Sequence, residues 1–432
     1  MIKTKAIMPH QMGFESPVLE HPDLAQEPPE VSRKILPKRL LTCLGACAIA
    51  LSFPVLAESY STPYSNETRR AANALTNVDS SEQQTALLQG VGFSTNKVWV
   101  ENSGEAHAEA QRVTDVGSNT IRIANPYTRG GISVHNDLKR LCNTANVAAQ
   151  NDLDLIISWE GRYQNKELGY IPTTASEKRK YLTAIINMMD QLYGDQGCAQ
   201  SPPSLNISLF NEPNNPLFLR NQYINGEWVA PKQVISLYEY SYGRLHQKAE
   251  SLGLNFRIIA GELRQRDAGK FLRRMAEIVK EQKIKNKIAD VMSYHYYANG
   301  PDAQSSQAAV EYIQRLNLTI DEGFGYMEKW ITEVGAITTV PASLKKHYTK
   351  KKASTRKPLT PREQGVFYRD FYRIAACNGI KRVINFHYSD DGGILTTGVA
   401  YKPKRNKPAI KKASYPIVQQ SFNEALTGKI EC

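Results

Sequence analysis

The chain has 432 residues, of which 41% are hydrophobic and 22% are charged, the composition of a folded globular protein. A chain of this length buries most of its apolar surface on folding, so it does not need a metal or a disulfide to be stable. The formal net charge is +12, and most of that excess falls in two segments near the end of the chain.

The first 57 residues lack the pattern of a folded domain. Residues 13–37 are rich in proline and glutamate with no apolar period, which predicts disorder. Two basic residues then precede an apolar run that ends in small residues at Ala57, as in a secretory signal peptide. We therefore expect a periplasmic or secreted protein cleaved after Ala57. The alternative is a membrane anchor formed by residues 40–57, although that run is short for a spanning helix.

Four cysteines follow this segment, and an even number in an exported protein permits two disulfides. Of the three possible pairings we favour Cys142–Cys198 and Cys377–Cys432. The sequence has no Cys-x-x-Cys motif and no cluster of cysteine and histidine, so we expect neither a zinc site nor any cofactor.

Short apolar runs alternate with longer amphipathic segments from residue 88 onward. The apolar runs predict strands at 90–94, 120–124, 153–159, 205–210, 256–260, 291–295, 329–333 and 383–387. The amphipathic segments predict helices at 106–116, 135–150, 177–193, 231–251, 268–282, 303–316, 361–376 and 416–427.

The predicted strands are apolar almost throughout, which is typical of parallel strands buried on both faces. Eight strand–helix units predict an α/β fold, a (β/α)8 TIM barrel, as a single domain over residues 88–432 after a lead-in at 58–87. A doubly wound open sheet is the alternative. The first strand is not followed by a glycine-rich phosphate loop, which weakens that alternative.

Polar side chains gather at the carboxyl ends of the predicted strands, where the chemistry of such a barrel takes place. Glu212 ends strand 4 in Leu-Phe-Asn-Glu-Pro-Asn, and Glu333 ends strand 7 in Trp-Ile-Thr-Glu-Val-Gly. Strands 4 and 7 face each other across an eight-stranded barrel. Hydrolysis of a glycosidic bond needs two such carboxyl groups, one to protonate the leaving oxygen and one to attack the anomeric carbon or activate water.

These two motifs resemble those of clan A of the retaining glycoside hydrolases. The closest similarity is to family 5, the cellulase-like enzymes, and the Asn-Glu-Pro-Asn form also resembles family 39. The resemblance spans residues 88–427 and implies that Glu212 is the acid/base and Glu333 the nucleophile. It also implies carboxyl groups about 5–5.5 Å apart. A drier, partly apolar setting would raise the pKa of the acid.

Four further residues match the same pattern. The resemblance implies that Asn211 binds the substrate 2-hydroxyl and that Arg122 on strand 2 keeps the nucleophile ionised. It implies that His295 and Tyr297 are the strand 6 pair beside the nucleophile. For each residue the alternative is a structural role, as an ion pair for Arg122 and as packing for the strand 6 pair. A lone histidine such as His295 does not indicate a metal.

The chain departs from family 5 at two strand ends. Strand 8 ends in Phe-His-Tyr-Ser-Asp, where the family usually has a tryptophan, and strand 3 ends in Trp-Glu, where a histidine is common. Trp159 and Tyr388 are candidate platforms for stacking on a sugar, with core packing as the alternative. Asp390 and Glu262 are candidate polar contacts to the substrate, with a solvated loop as the alternative.

Two strongly basic segments follow strands 7 and 8. Residues 345–357 contain seven lysines and arginines, residues 402–412 contain six, and neither segment has an acidic residue. Cations on the active-site side of a barrel would concentrate an anionic substrate, which predicts an acidic polysaccharide. The alternative is a solvated charged loop. Nucleic acid is not expected, since aromatic residues are sparse in these segments.

The sequence therefore predicts a retaining glycoside hydrolase that cleaves O-glycosidic bonds of a polysaccharide or oligosaccharide by double displacement at two glutamates. We expect a monomer that meets a membrane only if its N-terminal segment stays uncleaved. One alternative is a transglycosidase, in which an acceptor sugar replaces water. The other is a carbohydrate-binding barrel without activity, and the presence of both glutamates disfavours it.

Overall fold

The computed structural model describes residues 85–95, 98, 100–126, 136–160, 171–216, 218–219, 222–224, 226–298, 306–347, 358–390, 396–401 and 409–432. All of them belong to the compact unit Asp79–Cys432. The predicted signal peptide or anchor, nearly all of the lead-in and most of both basic segments lie outside the described residues.

Eight parallel strands form a closed barrel, and they follow one another around it in sequence order. They are β1 Gly90–Ser94, β2 Thr120–Pro126, β3 Asp154–Glu160, β4 Leu205–Ser208, β5 Phe256–Leu263, β6 Val291–Ala298, β7 Glu328–Ala336 and β8 Arg382–Phe386. β8 pairs with β1 and closes the barrel. The predicted (β/α)8 fold is confirmed, and the open sheet is excluded.

A helix follows each strand. The helices are α1 Ser103–Asp115, α2 Asn136–Gln150, α3 Ala175–Tyr193, α4 Ala230–Ser251, α5 Ala268–Glu281, α6 Ser306–Phe324, α7 Pro361–Cys377 and α8 Tyr415–Leu426. α3 and α7 each begin at a threonine whose hydroxyl accepts from the backbone N–H of a glutamate three residues on, and that glutamate accepts in return. These reciprocal bonds satisfy N–H groups that a helix start leaves without partners. Among the described helices, none is long and apolar enough to cross a membrane.

The core has two parts. The larger part lies between the strands and the surrounding helices, and the smaller part fills the inside of the barrel. The inner cluster consists of Ile156, Ile259, Val291, Trp330 and Ile384. Ile156 lies two residues before Ser158 on β3, so both side chains point inward. The barrel interior is therefore apolar at one level and polar one step nearer the carboxyl ends of the strands.

Two disulfides close the structure, and both predicted pairings are confirmed. Cys142 on α2 is bonded to Cys198 after α3, with Cα atoms 5.6 Å apart. Cys377 at the end of α7 is bonded to Cys432, with Cα atoms 5.5 Å apart. The second bond ties the end of the chain to the barrel.

Candidate active site

Arg122 on β2 lies at the centre of a buried polar cluster and is itself 0% exposed. Its Nη1 donates to Glu333 Oε1 at 2.8 Å and to Ser94 Oγ at 3.0 Å. Its Nε donates to Glu262 Oε1 at 2.9 Å, and its Nη2 donates to Asn211 Oδ1 at 3.0 Å. A buried cation is tolerated only where opposite charges and hydrogen bonds satisfy it, and here two carboxylates do so.

Glu212 lies in the loop after β4, four residues beyond the end of the strand. Its Oε1 is 3.0 Å from His295 Nδ1, and its Oε2 accepts from Asn215 Nδ2 at 2.5 Å. The backbone N–H of Glu212 donates to the carbonyl of Glu262 at 3.0 Å. The φ angle of Glu212 is 46°, in the left-handed region that residues other than glycine rarely adopt. Such strain is concentrated at functional sites.

Glu333 lies on β7, at a shift in the register between β7 and its neighbour β6. Its Oε2 accepts a hydrogen bond from the Tyr297 hydroxyl and is 3.5 Å from His295 Nδ1. Burial and the charge of Glu333 raise the pKa of Tyr297 well above its usual range, so the phenol remains a neutral donor. Gly335 makes room for this tyrosine, because a Cβ there would lie 2.8 Å from its ring.

The two glutamates lie close together across the mouth of the barrel. One oxygen of Glu212, one of Glu333 and a ring nitrogen of His295 all lie within 4.8 Å of one another. Two carboxyl groups this close can reach a single glycosidic bond placed between them.

The same three residues could in principle bind a metal ion, since each offers a ligand atom at a suitable spacing. Two observations favour a hydrogen-bonded cluster instead. His295 Nδ1 already contacts both carboxylates, and the positive charge of Arg122 lies against Glu333. That the protein needs no metal stays a prediction.

The pKa of Glu212 is shifted in the direction opposite to the one expected from the sequence. Burial raises its pKa, but the hydrogen bond and charge of His295, the amide of Asn215 and the charge of Arg264 together outweigh burial, so the pKa is lowered. The expected raised pKa of this acid is therefore wrong for the free protein. For His295, burial lowers the pKa, but the charge of Glu333 and the contact with Glu212 outweigh it and raise the pKa.

Three predicted substrate contacts are not part of this cluster. Trp159 is 0% exposed and Tyr388 is 3% exposed, so neither ring offers a free face to a sugar. Tyr388 packs edge-on against Phe93, with ring centroids 5.6 Å apart. Asp390 is buried and accepts from Lys412 Nζ at 2.9 Å. The core-packing interpretation therefore fits the two rings, and a structural ion pair fits Asp390.

Several members of the cluster are not among the residues predicted from the sequence, or are predicted with a different role. Ser94 on β1 and Ser158 on β3 are polar residues at inward positions of otherwise apolar strands, a signal that was available. Asn215 lies three residues beyond Glu212 in the same motif. Glu262 is a predicted candidate contact to the substrate with a solvated loop as the alternative, and its 0% exposure excludes the solvated loop. Its place on β5 depends on a bulge that the sequence does not reveal.

Comparison with known proteins supports the fold. Neither a family model nor a curated protein matches the sequence. Among solved structures, GH5_18 from Streptomyces cattleya in complex with GlcNAc has a TM-score of 0.55 at 14% identity, over 79% of this chain and 82% of that chain.

Two further solved structures have similar scores. A glucosidase from Croceicoccus marinus has a TM-score of 0.54 at 12% identity, over 80% of this chain and 69% of that one. A GH5-4 broad specificity endoglucanase from Clostridium longisporum has a TM-score of 0.51 at 11% identity, over 78% and 97%. At these identities the comparison shows that the chain shares the TIM-barrel fold of these structures.

Proposed function

We propose that this protein is a retaining glycoside hydrolase, with Glu212 as the acid/base and Glu333 as the nucleophile. The observation that supports this most is the pair of carboxylates with oxygens within 4.8 Å of each other, on the loop after β4 and on β7. Arg122 and Tyr297 bind the two oxygens of Glu333 and fix its orientation. A carboxylate held in this way is ready to attack.

In the first step, Glu333 attacks the anomeric carbon, the bond to the leaving oxygen breaks, and a proton passes from Glu212 to that oxygen. In the second step, water gives a proton to Glu212 while its oxygen attacks the same carbon, which releases the sugar and frees Glu333. Asn211 accepts from Arg122 through Oδ1. Its amide nitrogen is then oriented to donate to the 2-hydroxyl of the substrate.

We propose that the Glu212–His295 pair holds the acid proton as a unit. We expect the proton on His295 in the free protein, because burial disfavours the charged imidazole less than the two carboxylates favour it. When Glu333 forms its bond to the sugar it loses its charge, which is the largest influence that raises the pKa of His295. The proton then moves along the 3.0 Å contact to Glu212 and on to the leaving oxygen.

We propose an acidic polysaccharide as the substrate. The support comes from the basic segments 345–357 and 402–412, which follow β7 and β8. Lys412 does not contribute, since it is buried and paired with Asp390. The remaining cations would attract an anionic glycan at low ionic strength. The two disulfides support an exported location, because such bonds persist in oxidising compartments.

The test is a panel of acidic and neutral polysaccharides and aryl β-glycosides, assayed at low and high salt with the wild type and with Glu333→Gln. We expect turnover of at least one acidic glycan that weakens with salt, and a loss of at least about a thousandfold in the variant. Circular dichroism would confirm that the variant is folded. No turnover of any glycoside by the wild type would contradict the function. Equal, salt-insensitive activity on neutral glucans would contradict only the acidic substrate.

A further inference from the structure

Glu262 is a third carboxylate in the cluster, and the proposed reaction gives it no role. It lies at the end of β5, where the register with β6 shifts between Ala260 and Leu263. The backbone is left-handed at both Gly261, with φ of 87°, and Glu262, with φ of 44°. The N–H of Glu262 donates to Ser293 Oγ at 2.9 Å. This bulge turns the side chain inward, toward the other polar groups.

The contacts of Glu262 reach both glutamates of the proposed mechanism. Its Oε1 accepts from Arg122 Nε at 2.9 Å and from Ser158 Oγ at 2.8 Å. Arg122 in turn binds Glu333, and the carbonyl of Glu262 accepts from the N–H of Glu212. Its Oε2 is buried and has no hydrogen-bond partner within the part of the chain that the structure describes.

One guanidinium thus faces two carboxylates in a buried place. In the free protein Arg122 divides its positive charge between Glu262 and Glu333. Once Glu333 is esterified to a sugar it is neutral, and Glu262 becomes the one described carboxylate paired with this cation. Loss of Glu262 as well would take from this buried cation both of the carboxylates that it contacts in the described part of the chain, which is unfavourable.

We propose that Glu262 is a positioning residue that shares the charge of Arg122 with Glu333 and compensates that charge while Glu333 is bonded to the sugar. The inference rests on the proposed hydrolase function. Two effects follow in the same direction. Because Glu262 shares the charge of Arg122, Arg122 does not bind Glu333 so tightly that the nucleophile is weakened. Because Glu262 compensates the charge of Arg122 once Glu333 is neutral, it stabilises the glycosyl-enzyme. Both speed the first step of the reaction.

The pH dependence separates this role from a merely structural ion pair. The charged and titratable groups of the elements packed around Glu262 are Arg122 on β2, Glu333 on β7, His295 and Tyr297 on β6, Glu212 after β4, and Tyr238 on α4, whose pKa is raised by burial and by the charge of Glu262. In Glu262→Gln, Arg122 keeps its bonds to Glu333, Ser94 and Asn211 and one negative charge is lost. The ionised nucleophile is then favoured, so the acidic limb of kcat/KM should move to lower pH by roughly one unit. If the substitution instead loosened the packing and freed Arg122 from Glu333, the acidic limb of kcat/KM would move to higher pH.

The experiment compares Glu262→Gln with Glu109→Gln, using the best substrate from the panel and a dinitrophenyl glycoside of the same sugar. Glu109 is a matched control, since it is 1% exposed, pairs with Arg112 and accepts from Thr95, outside the cluster. We expect Glu262→Gln to lower kcat/KM by at least about tenfold. The acidic limb should shift, and the burst of released dinitrophenol should shrink. The control should keep the wild-type limb and burst.

A folded Glu262→Gln with the wild-type limb and burst would overturn the proposal, as would a shift of the limb to higher pH. If Glu262→Gln does not fold, Glu262→Asp is used to test the proposal. The aspartate keeps the negative charge but holds it farther from Arg122. The acidic limb should therefore stay in place while kcat/KM falls several-fold. A wild-type kcat/KM in Glu262→Asp would overturn the proposal. An inactive wild type would instead show that the underlying function is wrong.

Discussion

At the scale of single residues, the proposed mechanism depends on a proton shared by Glu212 and His295. Burial alone would raise the pKa of Glu212, but His295, Asn215 and Arg264 outweigh burial and lower it. In the reaction that we propose, the histidine, whose pKa is raised, stores the proton that the glutamate delivers. Motif reasoning located Glu212, but the direction of its pKa depends on neighbours that are far away in the sequence.

Replacing His295 by glutamine tests this division of roles. In the wild type the pair keeps its proton until the pH rises through the raised pKa of His295, so activity should extend above the usual histidine value of about 6.5. In His295→Gln the carboxyl alone must hold the proton. We expect the basic limb of kcat/KM to move to lower pH, measured as a pH profile on the best substrate.

His246→Gln is the matched control, because His246 Nε2 pairs with Asp290 Oδ2 at 2.8 Å outside the site. The control should keep the wild-type basic limb. An unchanged limb in His295→Gln would show that Glu212 holds its proton without the histidine.

At the scale of secondary structure, the position of the site depends on where the strands end. β5, β6 and β7 each continue three residues past the predicted end, and β6 and β7 remain paired with each other over these residues. β4 instead ends early at Ser208, although the N–H groups of Asn211 and Glu212 still donate to Trp159 on β3 and Glu262 on β5. Apolar runs therefore predicted the existence and order of the strands. They could not predict bulges, since a bulge depends on pairing with a neighbouring strand.

Gly335 on β7 allows a close contact between two strands. A Cβ at this position would lie 2.8 Å from the Tyr297 ring and 3.1 Å from Thr397 Cγ2. Gly335→Ala should push Tyr297 away from Glu333, and such a displacement should lower kcat by on the order of a hundredfold. Overpacking should also lower the free energy of unfolding by about 1–3 kcal/mol. Steady-state kinetics and urea unfolding measure the two effects.

Gly243 in α4 is the control for this substitution, because a Cβ there has no atom within 4 Å. Gly243→Ala should raise the free energy of unfolding by about 0.5–1 kcal/mol through helix propensity and leave kcat unchanged. A wild-type kcat in Gly335→Ala would mean that the Tyr297 contact does not matter for the reaction.

Closure of the barrel, at the scale of the whole molecule, brings together residues that are distant in the chain. The sequence alone predicted the eight strand–helix units and both disulfides. It did not predict which aromatic residues would be buried. Trp159 and Tyr388 occupy strand ends where sugar platforms occur, but tertiary packing placed both rings in the core.

The roles of Glu212 and Glu333 are tested most directly by the configuration of the product that azide forms with Glu212→Ala and with Glu333→Ala. In Glu212→Ala the nucleophile remains, so azide should attack the glycosyl-enzyme and give a glycosyl azide with the configuration of the substrate. In Glu333→Ala, azide should replace the nucleophile and give the inverted product. Proton NMR distinguishes the two. Inversion in Glu212→Ala, or retention in Glu333→Ala, would contradict the assignment.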